Sequence, residues 1–304
     1  MRSFHPALFA LILAGAAHAA PRFVTEIPFD LCRGLICLHV KVEGTPVTMI
    51  LDTGDAHDFI STEFAKAHGW TLKPYISNGK PIPGVFDAGN HVIRLGRLVG
   101  PAHFVTAPAA DLGAKGLYDA NLVYLFFKDR ALQIDYPRRE LRVSDVLTGP
   151  PHSDARGRLQ IVNFHKWGPP IVVAGPFTIN GKVVRAQIDT AYTGTMLIYS
   201  AYIGPLGLRP PTNPVDREFF PFTDGGVFML KGRAKSEGFA DRILDDGATP
   251  VYFPGPGVHQ PENPFEATVG NAFFAHSVVT MDFHDMTIDV SPRRVHPRAS
   301  REAS

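Results

Sequence analysis

The sequence predicts a mostly β protein built from two homologous lobes, and three observations carry that prediction. Punctuation by Gly and Pro is heavy, with 28 and 27 residues. The apolar runs between them are short and rich in β-branched and aromatic residues, as strands are. The chain also repeats itself: "LICLHVKVEGTPVTMILDTG" gives two strands around Glu43-Gly44, and "FTINGKVVRAQIDTA" gives the same pattern around Asn180-Gly181.

Residues 1–20 differ from the rest. Arg2, the apolar run Ala7 to Ala14 and the small-x-small pattern Ala17-His18-Ala19 read as an export signal cut after Ala19. The run is shorter than the roughly 18 to 20 residues that a membrane span requires. The mature protein is therefore expected in the periplasm or secreted, without a stable span. Removing the signal takes away only Arg2, so 30 basic against 29 acidic residues become 29 against 29. A neutral protein lacks the concentrated positive field that nucleic acid or anionic lipid would need.

The first lobe is placed at residues 21–147 and the second at 160–292, joined by the connector "TGPPHSDARGRL" (148–159) and followed by a basic, solvated tail at 293–304. Laid side by side, Gly44 falls on Gly181 and Asp52-Thr53 on Asp189-Thr190. Phe59-Ile60 then falls on Met196-Leu197, and one residue of slippage later Gly69 meets Gly207. Each copy closes with a strand, a polar turn and a second strand: "LQIDYPRRELRV" (132–143) and "VTMDFHDMTIDV" (279–290). A short helix is expected from Ser61, its cap, through Glu63 to a stop at Gly69. Its counterpart after Ser200 should be shorter, because Gly204-Pro205 interrupts it.

The chemistry centres on Asp52, which ends an apolar strand in "MILDTGDAHDFIS" (49–61). Aspartate is a poor strand residue, and burying its charge without a partner is costly. An apolar-Asp-Thr-Gly segment duplicated at strand ends resembles the pepsin and retropepsin superfamily of aspartic proteases, in which each lobe or subunit contributes one Asp. The resemblance spans roughly residues 26–290. It rests on Asp52-Thr53-Gly54 and Asp189-Thr190-Ala191, and on "ATVGNAFFAHSVVTMDF", which looks like that family's apolar-apolar-Gly segment and closing hairpin. It implies two β-barrel-like lobes with a cleft between them, a catalytic dyad of Asp52 and Asp189, and supporting loops at Thr53, Gly54, Thr190 and Ala191.

By that resemblance, Thr53 and Thr190 tie the acid loops together across the lobes. Two carboxyl groups about 3 Å apart cannot both ionise, so they share one proton. The ionised member takes a proton from a water while the other hydrogen-bonds the scissile carbonyl. The expected activity is an aspartic endopeptidase acting on peptides or proteins. No metal or organic cofactor is expected, and a monomer suffices because one chain supplies both acids.

Three departures bear on activity. Ala191 stands where the family has Gly, Asp55 where a small residue is usual, and Val123 opposite Gly270, the threading glycine of lobe two. Asp55 either points at the dyad and raises its pKa or caps the turn, the commoner role of Asp. These departures keep a second reading in view, a non-catalytic peptide- or protein-binding pseudo-protease with the same bilobed fold.

A flap hairpin is sought in "YISNGKPIPGVFDAGNHVIRL" (75–95), with turn signals at Asn78-Gly79 and Gly89-Asn90 and Tyr75 as the candidate flap tyrosine. The matching region of lobe two, "FFPFTDGGVFML", places Asp224-Gly225 between aromatic arms that include Phe222. Phe219, Phe220, Phe222 and Phe228 are candidates to line the cleft or to pack the core.

Cys32 and Cys37 leave two alternatives open, a local disulfide or two thiols, since a turn at Arg33-Gly34 would set Cys32 opposite Leu35. The 13 histidines show no His-Glu-x-x-His, and no phosphate-cradling Gly loop or Gly-x-Ser-x-Gly elbow occurs. His284 and Asp285 are read as surface residues of a hairpin turn.

Overall fold

The computed structural model describes residues 23–77, 79–110, 112, 117–145, 157–163, 170–213, 216–220, 227–245, 249–255 and 264–292. The expected export signal, most of the connector, the tail, Asn78, and Phe222, Asp224 and Gly225 lie outside the described residues. Among the described residues the strands fall into two sheets, one of 8 and one of 15, and no helix is long and apolar enough to cross a membrane.

The smaller sheet forms most of the first lobe. Two of its hairpins are joined by two-residue turns in which both members take positive φ, Arg33-Gly34 (52° and 88°) and Glu43-Gly44 (48° and 85°). That backbone twist matches the strands it joins, and Gly adopts it without a Cβ clash. Leu35–Val42 pairs with Thr45–Asp52 on one side and, through Lys41 opposite Arg94, with Lys80–Leu95 on the other, which curls the sheet toward a barrel. The helix Thr62–Ala67 starts where expected, with Ser61 Oγ accepting from the Phe64 N–H at 3.1 Å, and it stops before Gly69 at φ 69°.

The larger sheet contains the second lobe and the floor shared by both. The closing hairpins of the two copies pair antiparallel, Ala131–Asp135 against Ser277–Asp282. Gln133 lies opposite Thr280, its own counterpart in the repeat, and donates to the Thr280 hydroxyl at 3.0 Å. An element that pairs with its copy at matching residues marks a local two-fold axis, and this axis passes between the lobes. The outer strands follow the same symmetry: Phe23–Pro28 pairs with Glu140–Ser144, and Gly157–Asn163 with Thr287–Pro292.

One apolar core runs through both halves, from Leu38, Leu51 and Leu122 to Leu132, Met281, Ile188 and Val269. Because the core is shared, burial fixes the two copies against each other, at roughly 25 cal/mol per Å² of apolar surface removed from water. Aromatic contacts across the join add direction to it. Tyr124 stacks on Phe283 at 5.8 Å and Tyr136 on Phe274 at 5.9 Å.

Two local expectations are corrected and one open alternative is decided. Gly89-Asn90 is no turn: the strand Lys80–Leu95 runs through it, with a register shift between Asp87 and Gly89 that the positive φ of Gly89 (78°) accommodates as a bulge. Asp285 sits in the expected turn but is buried, 8% exposed, rather than on the surface. Its N–H and that of His284 donate to Asp282 Oδ1 at 3.0 and 2.9 Å, which folds the turn inward. The cysteines are bridged although Cys32 does pair with Leu35: Asp30 pairs with Cys37, and the two cysteine Cα atoms lie 5.9 Å apart, a reach the bond can span.

Candidate active site

Each acid stands where a strand leaves its sheet. Thr45–Asp52 is apolar and buried along its second half, and it pairs in parallel with Ala120–Val123, Asp52 lying opposite Val123. Lys182–Ile188 pairs in parallel with Ala267–Val269, and Asp189 follows it, donating its N–H to Val269 O at 3.0 Å. A strand paired on both edges, as each of these is, positions its last residue firmly, and the loop beyond it is free to turn toward the other lobe.

The two loops interlock. Thr53 N–H donates to Thr190 Oγ1 at 3.0 Å and Thr190 N–H to Thr53 Oγ1 at 3.2 Å. Thr53 Oγ1 in turn donates to Ile188 O at 2.9 Å, and Thr190 Oγ1 to Leu51 O at 2.7 Å. Each hydroxyl accepts from one lobe's loop and donates to that lobe's strand end, so all four groups are satisfied in a buried place. Gln187 Nε2 adds a fifth cross-lobe bond to Gly54 O at 3.0 Å.

The carboxylates are brought together by this lock. A Cβ built on Gly54 would lie 2.5 Å from Asp189 Cγ, so the carboxylate of one lobe packs directly on the glycine of the other. Gly54 N–H donates to Asp52 Oδ1 at 2.9 Å, and Ala191 N–H donates to Asp189 Oδ1 at the same 2.9 Å. Ala191 is thus no obstacle to this bond: its backbone avoids positive φ, and it makes the contact that Gly54 makes in lobe one. Tyr192 N–H also reaches Asp189 Oδ1, at 3.1 Å.

Burial, then the charge of Asp189, then that of Asp55 push Asp52 well above the ordinary carboxylate range, against the pull of the Asn121 amide and the Gly54 N–H. Burial pushes Asp189 up to about 6, with the Ala191 and Tyr192 amides pulling it down and Asp55 adding to the rise. The two titrate as one unit, and the pair keeps a proton to higher pH than a lone exposed acid would. Asp55 combines the two roles left open for it. Its Oδ1 caps the loop by accepting from Ala56 N–H at 2.6 Å and His57 N–H at 3.1 Å, while its charge still reaches both acids.

Val123 and Gly270 differ for a steric reason. A Cβ at Gly270 would meet Tyr192 O at 2.2 Å and Gly194 O at 2.6 Å. In lobe one the matching space is open enough for a valine, whose N–H is taken by Asp58 Oδ1 at 2.8 Å. The missing glycine therefore leaves the first acid's support intact.

Tyr75 lies in Lys73–Ser77, which pairs with Lys80–Leu95 as a hairpin, and its hydroxyl bonds His57 Nε2 at 3.1 Å. His57 Nδ1 in turn lies 3.4 Å from Asp55 Oδ1, so the hairpin is tied to the first acid loop. Phe228 is half exposed with Arg217 stacked 4.6 Å above its ring.

Five polar residues that support the acids escaped the sequence reading. Asn121 Nδ2 donates to Asp52 Oδ2 at 3.1 Å, and its Oδ1 accepts from Phe59 N–H. Asn271 Nδ2 bridges Thr190 O (2.6 Å) and Gly34 O (3.0 Å), while its Oδ1 accepts from Tyr136 OH at 2.8 Å. Asp58, Gln187 and His57 complete the set. The signal for Asn121 was present as a lone amide in the otherwise apolar strand "ANLV", where burial demands a partner.

No family model matches the chain, and no curated protein does. Among solved structures it is similar to an aspartic proteinase from Irpex lacteus, at 12% identity and a TM-score of 0.44, over 89% of this chain and 97% of that one. So slight a likeness carries no argument about chemistry, which rests on the geometry above.

Proposed function

We propose that the protein is an aspartic-type endopeptidase that hydrolyses peptide bonds with a water activated between Asp52 and Asp189. The observation that carries this reading is the interlock itself, two duplicated Asp-Thr loops whose threonines exchange hydrogen bonds and whose acids share one buried electrostatic unit. One carboxylate, ionised, takes a proton from the water. The other, protonated, donates to the scissile carbonyl; as the gem-diol collapses, the proton taken from water passes to the departing amine and the donated proton returns to its acid. The chain supplies both acids, so one copy is sufficient, and no step calls on a metal or organic cofactor.

The substrate class is peptide or protein, and residues 1–20 support export to the periplasm or beyond. The binder reading drew on Ala191 and the irregular first lobe; the Ala191 N–H bond to Asp189 and the Val123 N–H bond to Asp58 both weigh against it. A mixed peptide library incubated with wild type, Asp52→Asn and Asp189→Asn tests the proposal. Turnover in wild type that both variants lose by orders of magnitude is the expected result. Equal background turnover in all three, in folded samples, would refute it.

A further inference from the structure

The two lobes are alike in backbone but differ at the register position beside the residue two before each acid. In lobe one, Asn121 pairs with Ile50, two residues before Asp52. In lobe two, Thr268 pairs with Gln187, two residues before Asp189. Asn121 points its amide at its own acid. Thr268 instead exchanges hydrogen bonds with Gln187 and Tyr199, at 3.2 and 2.7 Å, and Gln187 reaches across to the other lobe.

The acids consequently receive their donors differently. Asp52 is held at both oxygens, Oδ1 by Gly54 N–H and Oδ2 by Asn121 Nδ2. Asp189 takes both of its backbone donors on Oδ1, from Ala191 and Tyr192. An N–H and an O–H compete for the same edge of a carboxyl oxygen, so a donor held at an oxygen disfavours a proton there. Asn121 is 6% exposed, and its own Oδ1 is occupied by the Phe59 N–H, which fixes the amide with its NH₂ toward Asp52.

We infer that Asn121 is a positioning residue of the acid pair: its amide holds Asp52 Oδ2 as a bare acceptor and so keeps the shared proton off that oxygen. The inference rests on the reading of Asp52 and Asp189 as a working dyad, and it makes the duplicated site asymmetric at the proton. The other titratable groups around it are Asp55 and His57 on the same loop, Asp58 on the neighbouring strand, and the phenols Tyr118 near Asp52 and Tyr192 and Tyr199 near Asp189. The phenols stay neutral through the acid range, because burial raises each of them further. Asp55 is the charge that Asn121 works against, since it favours proton retention on Asp52 while the amide favours release.

The test reads protonation with and without substrate. Infrared difference titration follows the carboxyl C=O band that disappears in Asp52→Asn, and the pH profile of kcat/KM follows the working enzyme. In Asn121→Leu both midpoints should rise by about one pH unit, because a donor to the ionised form is lost. Asn121→Asp has nearly the same shape and keeps an acceptor for Phe59, and it should raise them further by adding a charge. A purely structural Asn121 would lower Tm and kcat with neither midpoint moved, and that result in a folded variant overturns the inference. If Asn121→Leu does not fold, Asn121→Ala, which removes the same donor without adding bulk or charge, decides in its place. Shifted titrations in a protein without turnover would overturn hydrolysis and leave this inference standing, whereas turnover with fixed midpoints would do the reverse.

Discussion

Thr53 and Thr190 each accept the other's backbone N–H and each donate to the strand that carries the opposite acid. The placement of one acid loop against the other is therefore set by contacts between lobes. Thr53→Val keeps the shape and strands two buried groups, the Thr190 N–H and the Ile188 carbonyl. It should cost about 2 to 4 kcal/mol in urea denaturation, and Thr190→Val should cost the same. Peptide turnover should fall on the order of a hundredfold through misplacement of the acids. The double variant should fall short of additivity by at least about 0.5 kcal/mol, whereas strict additivity would show that the two bonds act independently.

Gly54 and Ala191 occupy matching places but have unequal tolerance. A methyl on Gly54 would enter the Asp189 carboxylate, 2.5 Å from its Cγ, and this neighbour is held by two amides and cannot swing away. Gly54→Ala should abolish turnover to within about a hundredth of wild type. Ala191→Gly should leave turnover in place and change stability by no more than about 1 kcal/mol. Retained activity in Gly54→Ala, measured on the same peptide library, would contradict the packing described here.

The duplication was the most legible feature of the chain, because a repeat at constant offset needs only matching residue types. The hairpin turns were legible for a related reason: Glu43-Gly44 and Asn180-Gly181 announce a positive-φ turn in two letters. Asn121, Asp58 and Asn271 were not. Each is a polar residue whose partner lies 62 to 237 positions away along the chain, and no local pattern encodes such a distance. Gly89-Asn90 misled because a glycine at positive φ serves a bulge as well as a turn, and only the partner strand decides between them. The cysteine pairing stayed open because a face-to-face register neither requires nor forbids a diagonal bond.

Asp55 tunes the pair through its charge. Asp55→Asn keeps an oxygen to accept from Ala56 and His57 N–H but removes the negative charge that raises both Asp52 and Asp189. The acidic limb of the pH–kcat/KM profile should therefore move to lower pH, by about half a unit. An unmoved limb would mean that solvent screens Asp55 from the pair.

Asp58 provides a pH dependence of stability separate from catalysis. It is 5% exposed and burial pushes it up to about 7, opposed mainly by the Val123 N–H. A carboxyl raised in the folded state binds more protons there than in the unfolded chain, so its ionisation destabilises the fold as pH rises. The loss should run from about pH 4 to about pH 7 and amount to roughly 2 to 4 kcal/mol. Asp58→Asn retains an acceptor for Val123 and should flatten that part of the curve, leaving the variant more stable than wild type at pH 8. Parallel urea titrations at pH 4, 6 and 8 measure it, and parallel pH curves for both proteins would refute it.

The Cys32–Cys37 bond closes a short loop whose turn does more than reverse the chain. Gly34 O accepts from Asn271 Nδ2, and the same amide nitrogen holds Thr190 O beside the second acid. A Cβ on Gly34 would also lie 3.2 Å from Thr193 of lobe two, so the turn is fitted closely against the far side. Loop closure over so few residues is worth about 2 kcal/mol, and that is the expected drop in unfolding free energy for the Cys32→Ser, Cys37→Ser double variant. Because the turn also positions Asn271, reduction should lower turnover of the folded protein, and re-oxidation should restore it. Asn271→Leu should show the same loss whether reduced or oxidised, since it lacks the amide through which the turn acts. If reduction lowered turnover in Asn271→Leu by the same further factor as in wild type, the link from disulfide to acid loop would run through some other contact.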